Sequence, residues 1–226
     1  MIKYIFFVVL FFIGENVLAQ KNIILKFENI ANEKKIILDE TIFTNANKES
    51  YTISKLRYYI SNIHFVNESN YYPKNVFLVD ASKKDSIKIM KPKNYIGISF
   101  EIGVDSVLNC SGAQNGALDP LNDMFWTWNS GYVNFKLEGK LVDSTTKIEH
   151  HIGGYKTPYI TKRRIFIALP KDYLKNKAAI TIQMDLDKYW SSTNIIASNP
   201  VITSPGELAA KAADNFTKMF SLKNEN

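Results

Sequence analysis

Apolar and polar side chains alternate in short runs along most of this chain. In Ile180–Leu186, Ile180, Ile182, Met184 and Leu186 fall on one side and Thr181, Gln183 and Asp185 on the other. That two-residue period belongs to a strand with one face buried. Comparable or β-branched runs cover 22–27, 35–38, 51–66, 75–79, 95–102, 132–137, 147–152, 164–169 and 179–186. Many short strands separated by turns predict an all-β fold, a single β-sandwich. The period changes near the end. Ser204, Pro205 and Glu207 stand where an N-cap, a first helical residue and a capping-box glutamate would, and Leu208, Ala212, Phe216, Met219 and Phe220 follow at helical spacing. They predict one amphipathic helix over 205–220, short and only weakly basic on its polar face, which suits packing on the sandwich better than lying on a membrane.

Residues 103–131 keep neither period and are rich in Gly, Asn, Asp and Ser. Ordered loops of this length in a compact domain are uncommon and often functional. This one closes on Met124–Tyr132, MFWTWNSGY, with two of the three tryptophans one residue apart. In an extended chain Trp126 and Trp128 share a face and Thr127 points away. Such an indole pair can stack on sugar rings or bases, or it can plug one end of a sandwich, and packing is the commoner use of large aromatics.

Composition narrows the class. With 226 residues, 46% hydrophobic and 22% charged, the chain has the balance and length of a globular domain with a real core. Residues 1–20 combine Lys3, an apolar stretch over 4–14 and a Val-Leu-Ala ending, the pattern of a cleaved export signal, leaving 21–226 as the domain. The apolar stretch is about half of the roughly 20 residues that span a bilayer, so stable membrane insertion is not expected. Cys110 is the single cysteine, so no internal disulfide holds the fold, and nothing nearby marks it as a catalytic thiol. The net charge of +6 is spread over small lysine clusters, as on a solvated surface, and gives nucleic-acid binding little support. Asp105, Asp119, Asn122 and Asp123 lack the ladder and terminal glutamate of a calcium loop, and Asp119-Pro120 and Asn122-Asp123 read as turn makers. Glu138 and Glu149 lie among strand residues beside lysines, with nothing to fix the separation that paired-carboxylate hydrolysis needs.

Three histidines remain: His64, His150 and His151. On a strand, His150 shares a face with Ile148 and Ile152, and His151 with Glu149 and Gly153, so at most one of the pair faces a given site. Imidazole is the commonest metal ligand, but histidines without fixed spacing define no metal site by themselves.

Four stretches carry a resemblance. LRYYISNIHFV (56–66), GISFEIGVDSVLNCSGAQNGALDPLNDMFWTWNSGYVNFKLEG (97–139), HHIGGY (150–155) and ADNFTKMF (213–220) are similar to the MbnP family of exported copper-associated proteins, with its GVD start, GALDP stretch, W-x-W before GY and later H-x-G motif. The resemblance implies a periplasmic or surface protein that is not itself an enzyme. It implies a separate MauG-like dihaem, peroxidase-type partner that oxidises a tryptophan to kynurenine, and copper, as Cu(I) or Cu(II), held by that residue and imidazole. Trp126 and Trp128 match the W-x-W motif and His151 matches the histidine of H-x-G; His150 sits beside that motif and His64 in the LRYYISN region as further candidates. The sequence has no C-x-x-C-H haem attachment motif, so haem chemistry would come from the partner. The alternative is a non-metal extracytoplasmic binding or structural module that uses the aromatic loop for a ligand or partner.

Overall fold

The alternating runs form strands, and the strands pair into two sheets. The computed structural model describes residues 22–67, 75–84, 86–127, 130–142, 144–190 and 196–224; the export-signal stretch and Trp128 lie outside them. One sheet is built on β1 (Asn22–Ala31), paired in parallel with β12 (Ala179–Asp185) and antiparallel with β2 (Lys34–Lys35) and β6 (Ser86–Met90); β14 (Phe220–Leu222) lies outside β12. The other is organised by β4 (Ser50–Val66) and contains β3 (Phe43–Thr44), β5 (Val76–Asp80), β7 (Gly97–Ile102), β8 (Phe125–Thr127), β9 (Gly131–Leu141), β10 (Lys147–Gly153), β11 (Arg163–Ala168) and β13 (Val201–Ile202).

Register shows how β4 organises its sheet. Tyr58 is paired with both Phe135 of β9 and Val79 of β5, and Ile60 with both Ile102 of β7 and Phe77 of β5. A strand has two edges, so β7 and β9 lie end to end along one edge of β4, with β5 along the other. The connection from β7 to β9, residues 103–130, therefore leaves the sheet at the middle of its longest strand.

Strand parity sorts the side chains. Leu56, Tyr58 and Ile60 of β4, Phe135 and Leu137 of β9, and Ile148 and Ile152 of β10 join Ile180, Ile182 and Met184 of β12 in the buried core between the sheets. Lys55, Arg57, Tyr59, Lys136, Glu138 and His151 consequently occupy the outer face.

The sandwich expectation holds, with local differences. The run over 35–38 pairs only at Lys34–Lys35, and Ser86–Met90, too short to stand out from its neighbours, is a strand. The terminal helix begins at Glu207, later than predicted. Gly206, rather than Ser204, is its N-cap and makes no side-chain cap bond, so the serine-proline signal is not used. It is interrupted at Asn215, whose amide donates to the Tyr189 carbonyl at 3.1 Å, giving α2 (Glu207–Asp214) and α3 (Phe216–Met219). Phe220 leaves the helix for β14 opposite Met184. Among the described residues no helix is long and apolar enough to cross a membrane.

Candidate metal centre on the outer face of the large sheet

The aperiodic connection is a packed layer over the outer face. Val104 N–H donates to Asn134 Oδ1 at 3.0 Å where the chain leaves β7. Asp105 then caps α1 (Ser106–Cys110) through the Leu108 N–H at 2.9 Å. Buried Asn109 is the internal clasp. Its amide donates to the carbonyls of Val104 and Asp105 at 3.0 and 2.9 Å, and its Oδ1 accepts from Tyr132 N–H at 2.8 Å. A Cβ at Gly131, whose φ is +75°, would lie 2.2 Å from that oxygen, so glycine is required there. Two 3-10 turns follow; Asp119 caps the second and Asp123 ends it in the left-handed region, as their reading as turn makers anticipates. Tyr59, Val104, Leu118, Met124, Tyr132 and Val133 form a second apolar cluster beneath this layer, with Leu108, Phe125 and Trp126 packed against it.

Charges fasten the layer to the sheet. Arg57 bonds Asp80 at 2.8 Å and the Asn122 carbonyl at 2.9 Å. Lys136, nearly buried, donates to the Asp123 carbonyl at 2.7 Å and meets the Asp123 carboxylate at 2.8 Å, while Lys55 meets the same carboxylate at 2.7 Å. Burial acts to raise the Asp123 carboxyl pKa, but the bonds and charges of Lys136 and Lys55 together bring it down to about 2. Glu138 joins the cluster, with Oε2 3.1 Å from Lys55 and Oε1 2.9 Å from His151 Nε2 and 3.4 Å from Lys136.

His151 thus stands on the outer face, partly buried, in contact with Glu138. Burial first and the Lys136 charge second lower its pKa against the pull of Glu138, so the imidazole is neutral at neutral pH. Gly153 lies two residues further on the same face. A Cβ there would come 2.7 Å from Trp126 Cζ3 and 3.0 Å from Cη2, which places the benzo edge of the indole on the bare backbone of β10. The Tyr132 carbonyl would lie closer still, at 2.6 Å, so Gly153→Val should both strain the β9–β10 pairing and push Trp126 off the sheet. The expected result is a lower melting temperature and stronger acrylamide quenching of tryptophan emission than in the wild-type chain.

The structure brings His151 and Trp126 to one face and separates the other histidines from them. His150 is fully buried on the core side. Its Nε2 meets the carbonyl of Asn199 at 2.7 Å and its Nδ1 the Tyr189 hydroxyl at 2.9 Å, with Trp190 packed edge-on at 5.6 Å. A carbonyl only accepts, so Nε2 carries the proton and Nδ1 accepts from Tyr189; neither nitrogen is left for a metal. His64 is exposed opposite Ser99, with Nδ1 donating to the Asn62 carbonyl at 2.9 Å. From Arg57, which is in register through Lys136 with His151, it is removed by about 20 Å along β4 at ~3.3 Å per residue. The register shift between β9 and β10 falls between Ile152 and Gly153, with the extra residue, Asn134, in β9, so β10 alternates without a break and turns His150 in and His151 out. Lys55, Lys136 and Glu138 were not singled out from sequence for this site; outward parity at 136 and 138, opposite the H-x-G motif, was the signal that could have found them.

Among the described residues no group of three His, Cys, Asp or Glu side chains is placed to hold a metal ion. The donor set offers one neutral imidazole beside a carboxylate already engaged by two lysines. One imidazole suits copper, zinc, iron or nickel alike, leaves the other positions of such an ion to ligands from elsewhere, and does not fit a hard cation.

A two-sheet sandwich whose outer face is roofed by an aromatic-ended loop defines the class of protein. Its sequence matches the MbnP family over residues 20–204, and the chain belongs to that family. Among solved structures it is similar to MbnP from Methylosinus trichosporium, with a TM-score of 0.57 and 15% identity over 77% of this chain and 78% of that one, a likeness of fold. No curated protein sequence matches it significantly.

Proposed function

We propose that the chain is an exported copper-binding protein, periplasmic or at the cell surface, and a substrate rather than an enzyme. Copper is held by His151 together with a tryptophan of the W-x-W motif, Trp126 or Trp128, converted to kynurenine by a separate MauG-like dihaem partner. The observation that carries this reading is the seat of Trp126 on Gly153, two residues from His151 on one outward face. Opening an indole to kynurenine exposes an aryl amine and a ketone, which complement a lone imidazole, and imidazole suits copper in either common oxidation state. His150 and His64 drop out of the ligand set under this reading because of their bonds and positions.

The test is the mass of the peptide spanning Trp126 and Trp128 from protein purified from its native host, with metal analysis of the same sample. Kynurenine mass on that peptide with copper near one equivalent is the expected result. Unmodified tryptophans and no copper would overturn the reading and leave the roofed face as a binding or packing surface. His151→Ala should abolish copper retention; binding of another ligand that survives this substitution would favour the non-metal module.

A further inference from the structure

Glu138 touches His151 through the one ring nitrogen that decides which atom of the imidazole is left for a ligand. A carboxylate only accepts hydrogen bonds, so the 2.9 Å contact with Nε2 requires the proton on Nε2 and leaves the lone pair of the neutral ring on Nδ1. Both oxygens of Glu138 are committed: Oε1 to His151 and, at 3.4 Å, to Lys136; Oε2 to Lys55 at 3.1 Å. The carboxylate is thus placed to orient the imidazole and is not itself open to a cation. Register adds direction. His151 is opposite Lys136, while Glu138 is opposite Glu149, so Glu138 lies on the side of His151 away from Gly153 and the Trp126 ring.

Resting on the copper reading above, we infer that Glu138 is the positioning residue of the site: it fixes the Nε2–H tautomer of His151 so that Nδ1 is the atom presented to the metal. Lys55 and Lys136 hold the carboxylate in place from both ends. Lys136 also grips the backbone and side chain of Asp123, so one cluster orients the imidazole and anchors the loop that leads to Trp126. Carboxylates that orient metal-bound imidazoles in this way are worth about 10–100-fold in metal affinity.

The experiment is nitrogen NMR of the His151 ring in metal-free full-length protein, at a pH where the imidazole is neutral, combined with Cu(I) competition against a chelator of known affinity. Both are run on wild type, Glu138→Ala and Glu138→Gln. The wild-type ring should carry its proton on Nε2. Glu138→Ala should give mixed tautomers and a copper affinity lower by about 10–100-fold. Glu138→Gln, whose amide oxygen still accepts, should restore the tautomer and part of the affinity; it also serves if the alanine variant does not fold. A wild-type proton on Nδ1, or an alanine variant unchanged in tautomer and affinity, would overturn the inference. An Nε2–H ring in a native-host protein that binds no copper would instead sink the copper reading while upholding the role of Glu138 in fixing the tautomer.

Discussion

Replacing His150 by alanine should cost about 3–4 kcal/mol of stability, whereas the same change at its neighbour His151 should cost less than about 1 kcal/mol. His150 is fully buried, and its removal leaves a cavity beside Trp190 and deletes two buried hydrogen bonds, with the Tyr189 hydroxyl and the Asn199 carbonyl. His151 stands partly exposed, and Glu138 keeps both lysines when it is lost. For a domain of this size the first change corresponds to a fall of about 10 °C in melting temperature and the second to very little. Copper retention should show the reverse order, lost in His151→Ala and kept by His150→Ala below its melting point. Thermal unfolding and metal analysis of the two variants side by side check both halves. Equal destabilisation would mean that the two histidines do not occupy opposite faces.

Acid should weaken the fold in two stages. Burial drives the His150 pKa from 6.5 down to about 4, against the pull of the Asn199 carbonyl. The unfolded chain takes up this proton first, so stability present above pH 6.5 falls as the pH drops toward 4, by about 3 kcal/mol from this group. His151, shifted in the same direction, adds to the loss. The second stage lies lower. Asp80, Glu101, Asp123 and Glu138 are buried enough to raise their pKa values, yet their cation and hydrogen-bond partners bring each below its ordinary value. Their contribution is present above the ordinary carboxyl range and is lost as pH falls from that range through their lowered folded values. Urea unfolding at a series of pH values should show a decline beginning near pH 6.5 that shrinks in His150→Leu to the contribution of His151, with the lower stage unchanged. A wild-type profile flat from neutrality to pH 4 would contradict the neutral, buried state of His150.

How much of the site was legible varied with the kind of interaction. The parity of β10 was readable in Ile148, His150 and Ile152, because one buried sheet face enforces a two-residue period. Trp126 was visible as half of an indole pair, but its seat was not: nothing in the local sequence says that the hairpin folds back so that Trp126 meets Gly153, 27 positions later in the chain. Glu138 looked like a strand carboxylate among lysines, which it is. Its partners Lys55 and His151 come from other strands, so its role depended on register. The terminal helix was legible as a stripe, while its break falls at Asn215, whose amide bonds the distant Tyr189 carbonyl, a partner no local pattern shows.

The sequence by itself determined the strand periods, the amphipathic helix, the unusual loop and the family, since each of these is written in neighbouring residues. Tertiary structure alone decided that β7 and β9 share one edge of β4, sending the loop out at mid-sheet to roof the outer face. It also decided that His150 is spent in the core while His151 meets Glu138 outside. The physical reason is that alternation fixes which way a side chain points, whereas its partner is set by pairing between strands far apart in the chain, which no local pattern records.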